Sequence, residues 1–370
     1  MPKNGDEKDC LYLWLSTSSI LAMKIFECDH CRHALFFENN RCEKCGYLTG
    51  FSVEDRDMLS FDPAVLVMTS VKDEKLFRYC ANREFDVCNW LIPFEKGERF
   101  CGACQLNRTI PNLSDRQNFQ KWQKLEVAKH RLVYQLDRLN LTYVSKFKNT
   151  LEGLCFDFLT RSPSHNRMTG HSSGVITILL EEADAVHLEK MKSELLEPYR
   201  TLIGHFRHEV GHYFWDILVA KDSEILEEFR SIFGDERGDY GQALLRYYQS
   251  KYQSDWKGSF ISQYASSHPW EDWAETWAHY LHIMAMAETS FSFGISVDPH
   301  LNERSLQGKI DFDPYQTPDF NRIFKAWFPI SFAINSLNRS MGIPDAYPFV
   351  VNSAVLRKMR FIHRLLFRMR

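Results

Sequence analysis

A chain of 370 residues, 44% hydrophobic and 14% aromatic, carries enough apolar side chain for a sizeable core, which excludes an intrinsically disordered protein. Its net charge of −3 excludes a globally basic nucleic-acid binder and leaves room only for a local basic surface. The length suits a catalytic domain joined to one or two small modules, and no stretch reaches the roughly 18–20 apolar residues that cross a bilayer.

In chain order, residues 11–22, LYLWLSTSSILA, imitate the core of a signal peptide. The preceding MPKNGDEKD is acidic rather than basic, and no small-residue cleavage pattern follows, so residues 1–22 read as an extension. Cys28-x2-Cys31 and Cys42-x2-Cys45 have the spacing of a zinc ribbon within residues 23–52, with His30 and His33 as bystanders. FDPAVLVMTS leads to a second group, Cys80, Cys88, Cys101 and Cys104, within residues 75–112; only its last two form a C-x2-C knuckle. Disulfides are the alternative, but such knuckles in a large chain without a convincing leader favour two structural zinc ions and a cytoplasmic location. Of the remaining cysteines, Cys155 in LEGLCFDF reads as a small core residue.

Ser114 to Gln117 has capping-box spacing and opens a helix whose buried face is Trp122, Leu125, Leu132, Leu136 and Leu139. After a polar loop around Ser162–Ser173, GVITILL, 174–180, reads as a buried strand. A helix from about 197 to 220 follows, with Leu202, Ile203, Phe206, Val210 and Phe214 at helical spacings. Gly211 within it costs about 1 kcal/mol relative to Ala, which implies that another element approaches closely there. The same helix contains FRHEVGHYFW, 206–215. His208 and His212, four apart, project from one face and can converge on a single ion. Glu209 points beside them, within reach of a water on that ion, where a general base stands in zinc-dependent peptide hydrolysis. H-E-x-x-H also occurs by chance, so a third ligand must decide. His205 reads as a packing residue or a support behind the ligands, and His171 in TGHSSG as a capping or packing residue that could line a cleft.

Helices near 223–233 and 240–253 precede a Ser-rich loop and a helix from about Pro269 to Met286. Its start, HPWEDWAETWAHYLHI, stacks Glu271 and Glu275 on one face, with Asp272 as a weaker third candidate and Trp273, Trp277 and Tyr280 as a core stripe. One carboxylate can bind a metal while the other accepts the N–H of a ligating His. Paired carboxylates in so aromatic a setting are costly without a cation, which favours metal over a solvated acidic face. Residues 288–320 are rich in turn formers, and the remainder is helical, broken at GIPDAYP. The basic C-terminal stretch, 356–370, invites a membrane or nucleic-acid reading. But Val355, Met359, Ile362, Leu366 and Met369 recur at helical steps, the stripe of a helix packed on its own domain, and packing is the preferred reading.

HEVGH followed by EDWAE resembles the gluzincin arrangement, especially that of anthrax lethal-factor-like peptidases. The resemblance implies Glu271 as third zinc ligand, Glu275 as the residue that orients a ligating His or an alternative ligand, and Tyr264 as the donor to the oxyanion. A nearly full-length resemblance, from about residue 23 to 365, is to bacterial zinc-binding metallopeptidases with an N-terminal zinc ribbon. FECDHCRHALFFENNRCEKCGY, CNWLIP, FCGACQLNRTIPNLS, TGHSSGVITI, GHFRHEVGHYFW, WAETWAHYLHI and LNRSMGIPDAYPFV carry it. It implies an α+β fold in which a mainly helical zincin-like metallopeptidase domain, 113–370, follows two small four-cysteine zinc modules. It also implies hydrolysis of a protein or peptide substrate by a zinc-activated water with Glu209 as base. GVITILL would then lie at the cleft rim, paired with the extended peptide. Two rivals differ in kind: a DNA-associated protease like Spartan, which uses three His ligands, and a non-enzymatic adaptor whose ribbons bind protein or nucleic acid.

Two four-cysteine groups and one His-His-Glu site imply three zinc ions per chain. Elemental analysis of protein purified without chelator is expected to approach that number. A value near one, with disulfides mapped among the eight cysteines, would overturn the organisation.

Overall fold

The computed structural model describes residues 24–161, 168–195, 201–249, 255–302 and 304–368. The extension expected at 1–22, with Cys10, and Met369 lie outside these residues. The fold is mixed α+β and mainly helical after a Cys-rich, hairpin-built N-terminal part. That part holds three antiparallel pairs: β1 (Ile25–Glu27) with β2 (Ala34–Phe36), β3 (Leu48–Ser52) with β4 (Asp57–Phe61), and β5 (Phe77–Tyr79) with β6 (Leu91–Pro93). Strands this short carry little apolar surface of their own, so their inward rings pack elsewhere. Phe37 and Phe51 lie 5.1 and 5.5 Å from the ring of Tyr134 on α1 (Arg116–Arg138).

The expected start of α1 is one residue off. Asp115, not Ser114, is the cap, accepting the backbone N–H groups of Gln117 and Asn118, while the Ser114 hydroxyl turns back to Asn112. The expected buried stripe holds: Trp122, Leu125, Leu132, Leu136 and Leu139 are all buried. Arg131 on the same helix pairs with Glu38 of the N-terminal part.

A four-stranded sheet runs in the order β7-β8-β10-β9, formed by β7 (Asn107–Thr109), β8 (Cys155–Leu159), β9 (Gly170–Ser172) and β10 (Val175–Leu179). A single 3-10 turn, Cys104–Leu106, leads from the last cysteine into β7, which pairs with β8 and so ties the second cysteine group to this sheet. GVITILL forms β10 as expected, but not at a rim. It lies between parallel β8 and antiparallel β9, and the edge over Val175–Thr177 belongs to β9. The two-residue turn joining β9 and β10 has φ of +48° at Ser173 and +77° at Gly174, the left-handed pair that a tight hairpin needs.

The helices that follow are α2 (Ala185–Leu195), α3 (Leu202–Leu218), α4 (Ser223–Phe233), α5 (Tyr240–Gln249), α6 (Pro269–Ser292), α7 (Phe320–Ser340) and α8 (Ser353–Arg368). A small hairpin, β11 (Ser296–Val297) with β12 (Gly308–Lys309), interrupts the region expected to be turns. Pro269 stands in the first turn of α6, where its missing N–H costs nothing, and α6 continues beyond the expected end to Ser292. Among the described residues, no helix is long and apolar enough to cross a membrane.

α8 settles the reading of the basic C-terminus. Val355, Met359, Ile362 and Leu366 are buried, each contributing about 1.5–3 kcal/mol of apolar burial, while Arg357, Arg360 and Arg364 face outward. Lys358 alone turns inward. Its Nζ lies 2.6 Å from the fully buried Asp272 carboxylate and donates to the Ser259 carbonyl. Removing one partner of such a pair leaves a buried charge uncompensated. Lys358→Ala is therefore expected to lower stability by about 3–5 kcal/mol in urea unfolding. Arg357→Ala on the exposed face should change it by less than about 0.5 kcal/mol.

Candidate active site and metal centres

The cysteine groups assemble as the spacing requires. Cys28 Sγ lies 3.7 Å from Cys45 Sγ, Cys31 Sγ 3.6 Å from Cys42 Sγ, and Cys88 Sγ 3.7 Å from Cys101 Sγ. A disulfide would bring such atoms to about 2.05 Å. Four thiolates on a tetrahedral zinc, each about 2.3 Å from the ion, lie about 3.8 Å apart. The described cysteines are all free, and each group of four sulfurs falls within one small cluster. Polar hydrogens point at three of the sulfurs: Ser60 donates to Cys28 Sγ, Trp90 N–H to Cys88 Sγ, and Cys101 N–H to Cys80 Sγ. Burial pushes the Cys28 thiol up, but Ser60, the backbone N–H groups of Cys31 and His30 and the neighbouring Cys45 outweigh it and bring it down to about 7. His30 stacks on Tyr47 at 3.9 Å, a packing role. Sequence reasoning missed His130. It lies on α1 with Nε2 3.6 Å from Cys104 Sγ and Nδ1 2.7 Å from the Glu126 carbonyl, and no cysteine spacing could point to it.

The second assembly depends on how closely α3 and α6 cross. A Cβ on Gly211 would lie 3.2 Å from the Cα of Ala274 and 3.1 Å from the Trp277 ring. The approach anticipated for this glycine is present, and Trp273 Nε1 donates to the Gly211 carbonyl at 2.8 Å across it. His208 and His212 of α3 thereby meet Glu271 and Glu275 of α6. His208 Nε2 is 3.0 Å from Glu271 Oε2, His212 Nε2 is 3.5 Å from the same oxygen, and the two Nε2 atoms are 3.2 Å apart. Donors bound about 2.0–2.1 Å from a tetrahedral zinc lie about 3.3 Å from one another. Glu271 Oε2 is buried and makes no well-aligned hydrogen bond among the described residues, although it faces two imidazoles. Two nitrogens and one carboxylate oxygen at these spacings fit zinc.

The neighbouring groups divide the work. Glu275 Oε1 is 2.7 Å from His208 Nδ1, and Ser262 donates to Glu275 Oε2 at 2.6 Å. A carboxylate on Nδ1 places the proton there and leaves Nε2 free for an ion. Burial opposes charge on His208, but Glu271 and Glu275 outweigh it and raise its affinity for a proton far above the usual range, so positive charge is favoured at this point. Burial likewise raises the Glu209 carboxyl, only partly offset by His208 and His212. Asp272, the weaker third candidate, is taken by Lys358 on the other side of α6. Tyr264 packs 5.9 Å from the His208 ring, and burial, followed by the charge on Glu271, raises its phenol well above its normal range. It stays a donor at neutral pH. His205 pairs with Glu182, and His279 meets the Tyr347 hydroxyl, so neither joins the cluster. His171 lies parallel to His212 at 6.3 Å, with its Nε2 accepting the N–H of Gly174. Two residues had no sequence signal: Ser262, and Tyr240, whose hydroxyl donates to Glu271 Oε1 at 2.6 Å from the start of α5.

A ribbon-bearing chain with a His-His-Glu cluster across two helices defines a class, that of zinc-binding peptidases. The chain belongs to the family described as "putative zinc-binding metallo-peptidase", whose model matches residues 118–365. A zinc-ribbon domain model matches residues 25–115. Uncharacterized proteins of Mycobacterium bovis and Mycobacterium tuberculosis are 41% identical to it over 341 residues, 92% of this chain and 94% of theirs. No solved structure matches.

Glu275 touches a proposed ligand rather than the ion. Glu275→Ala is expected to weaken zinc binding at this site by about 10–100-fold in competition with a chromophoric chelator, yet to leave it loadable at saturating zinc.

Proposed function

We propose that this protein is a zinc-dependent endopeptidase of the gluzincin type, with His208, His212 and Glu271 as metal ligands. The observation that carries the reading is the convergence of the two Nε2 atoms and Glu271 Oε2 within 3.0–3.5 Å of one another. Zinc at such a centre supplies Lewis-acid polarisation of the scissile carbonyl and lowers the pKa of water toward about 7.

The chain's own residues do the rest. Glu209, adjacent to His208, takes the proton of the attacking water and passes it to the leaving amine. The Tyr264 hydroxyl hydrogen-bonds to the developing oxyanion, a donor worth about 3 kcal/mol in comparable sites. Glu275, held by Ser262, keeps the His208 ring in one tautomer. β9, the edge of the sheet, offers backbone groups to an extended peptide, the part first assigned to GVITILL. The eight clustered cysteines hold two structural zinc ions, and their reduced state suits the cytoplasm.

The family match supports peptidase chemistry, and the ligand set weighs against a three-His DNA-associated protease. A purely structural adaptor has no use for the half-buried Glu209 carboxyl beside the two imidazoles. Glu209→Gln is expected to lower hydrolysis of a peptide library by at least about 10²-fold while zinc content is unchanged. Glu271→Ala is expected to lose the catalytic zinc. If Glu275→Ala strips this metal and Glu271→Ala does not, the two carboxylates exchange roles.

A further inference from the structure

Glu271 uses its two oxygens differently. Oε2 faces both imidazoles, whereas Oε1 accepts the Tyr240 hydroxyl at 2.6 Å. A carboxylate can bind an ion through one oxygen or both, and a donor fixed on one of them selects the other. The phenol is itself held in place. Its ring lies edge-on to His268 at 5.3 Å and to Trp270 at 5.6 Å, so the helix that carries Glu271 also fixes its hydrogen-bond donor.

Tyr240 comes from α5, outside both motifs. The inward residues of α5 are Tyr240, Ala243, Leu244 and Tyr247, one helical face, while Gln242, Leu245, Arg246 and Tyr248 are exposed. Two turns beyond Tyr240, the Tyr247 ring packs edge-on against Tyr264 at 5.7 Å. The contacts of this face thus run to Glu271, His268, Trp270 and Tyr264, all in or beside the metal cluster.

Resting on the assignment of Glu271 as a ligand, we propose that Tyr240 is the positioning residue that holds Glu271 as a one-oxygen ligand, and that metal binding and the docking of α5 are thereby coupled. Coupling of this kind is reciprocal. An ion that fixes the carboxylate steadies the phenol and with it α5; a loosened α5 frees the carboxylate to turn and weakens the ion. Tyr240→Phe keeps the ring and its packing and removes only the donor.

The test uses the full-length chain and zinc itself, titrated against a chromophoric chelator, with His212→Ala identifying the binding step that belongs to this site. Tyr240→Phe is expected to weaken that step about 10–100-fold. Amide exchange over 240–249 is expected to slow in the wild type when this zinc is bound, and to lose that dependence in the variant. Merely structural packing by Tyr240 would alter melting but neither readout. If His212→Ala removes a binding step and Tyr240→Phe binds zinc like the wild type, or if α5 exchange ignores the metal, the role of Tyr240 is refuted while the metal site stands. If His212→Ala removes no step, the metal-site reading fails and this proposal with it.

Discussion

The crossing of α3 and α6 at Gly211 is the constraint on which the rest of the centre depends. With no side chain there, the backbones approach until Ala274 and Trp277 fill the space a Cβ would take. Even an alanine Cβ would sit 3.1–3.2 Å from them, tighter than ordinary contact, so the crossing would have to yield. The 3.0–3.5 Å spacings among His208, His212 and Glu271 are set across this crossing. The cost of glycine mid-helix, about 1 kcal/mol, is small beside the geometry it permits. Trp273 donating to the Gly211 carbonyl, and the buried rings of Trp273 and Trp277, lock the crossing in one arrangement.

α6 also carries an unusual load of buried charge, and each carboxylate has a different neighbour. Glu271 faces the imidazoles and Tyr240, Glu275 faces His208 and Ser262, and Asp272 faces Lys358 of α8. Lone carboxylates in such surroundings would protonate instead; burial, with a smaller push from Glu275, outweighs Lys358 and lifts Asp272 to about 7. The helix is thus clamped from opposite sides, by the imidazoles of α3 and by the C-terminal helix. Placement of Glu271 and Glu275 therefore depends on α8, which shares no residue with the cluster.

The cysteine-rich part belongs to the same mechanical unit. β7 joins the sheet through β8, Tyr134 of α1 receives the rings of Phe37 and Phe51, and His130 of α1 stands against Cys104. Lys129, buried on the same helix and paired with Glu126, sets a positive charge beside the second cysteine group. α1 also packs against α3, so the helix that carries His208 and His212 rests on one that touches the cysteine-rich part as well.

The sequence by itself determined whatever depends on spacing along one element. Residues four apart on a helix share a face, so HEVGH and the Glu271–Glu275 pair were legible, as were the groupings of four cysteines, the buried stripe of α1 and the inward stripe of α8. The resemblance to known peptidases singled out Glu271, the carboxylate that the fold sets against both imidazoles. What only the tertiary structure decided was which groups face one another from different elements. Tyr240 and Ser262 reach the carboxylates from segments whose own patterns say nothing of metal, and His130 reaches Cys104 from the interior of a helix. β10 was recognisable as a strand, but its place inside the sheet was not, because alternation fixes which side chains point up or down and not which strand lies beside it. Asp272 and Glu271 are adjacent in the chain, yet one meets lysine and the other imidazole. A helix rotates successive residues by about 100°, and the partner on each side is chosen by packing.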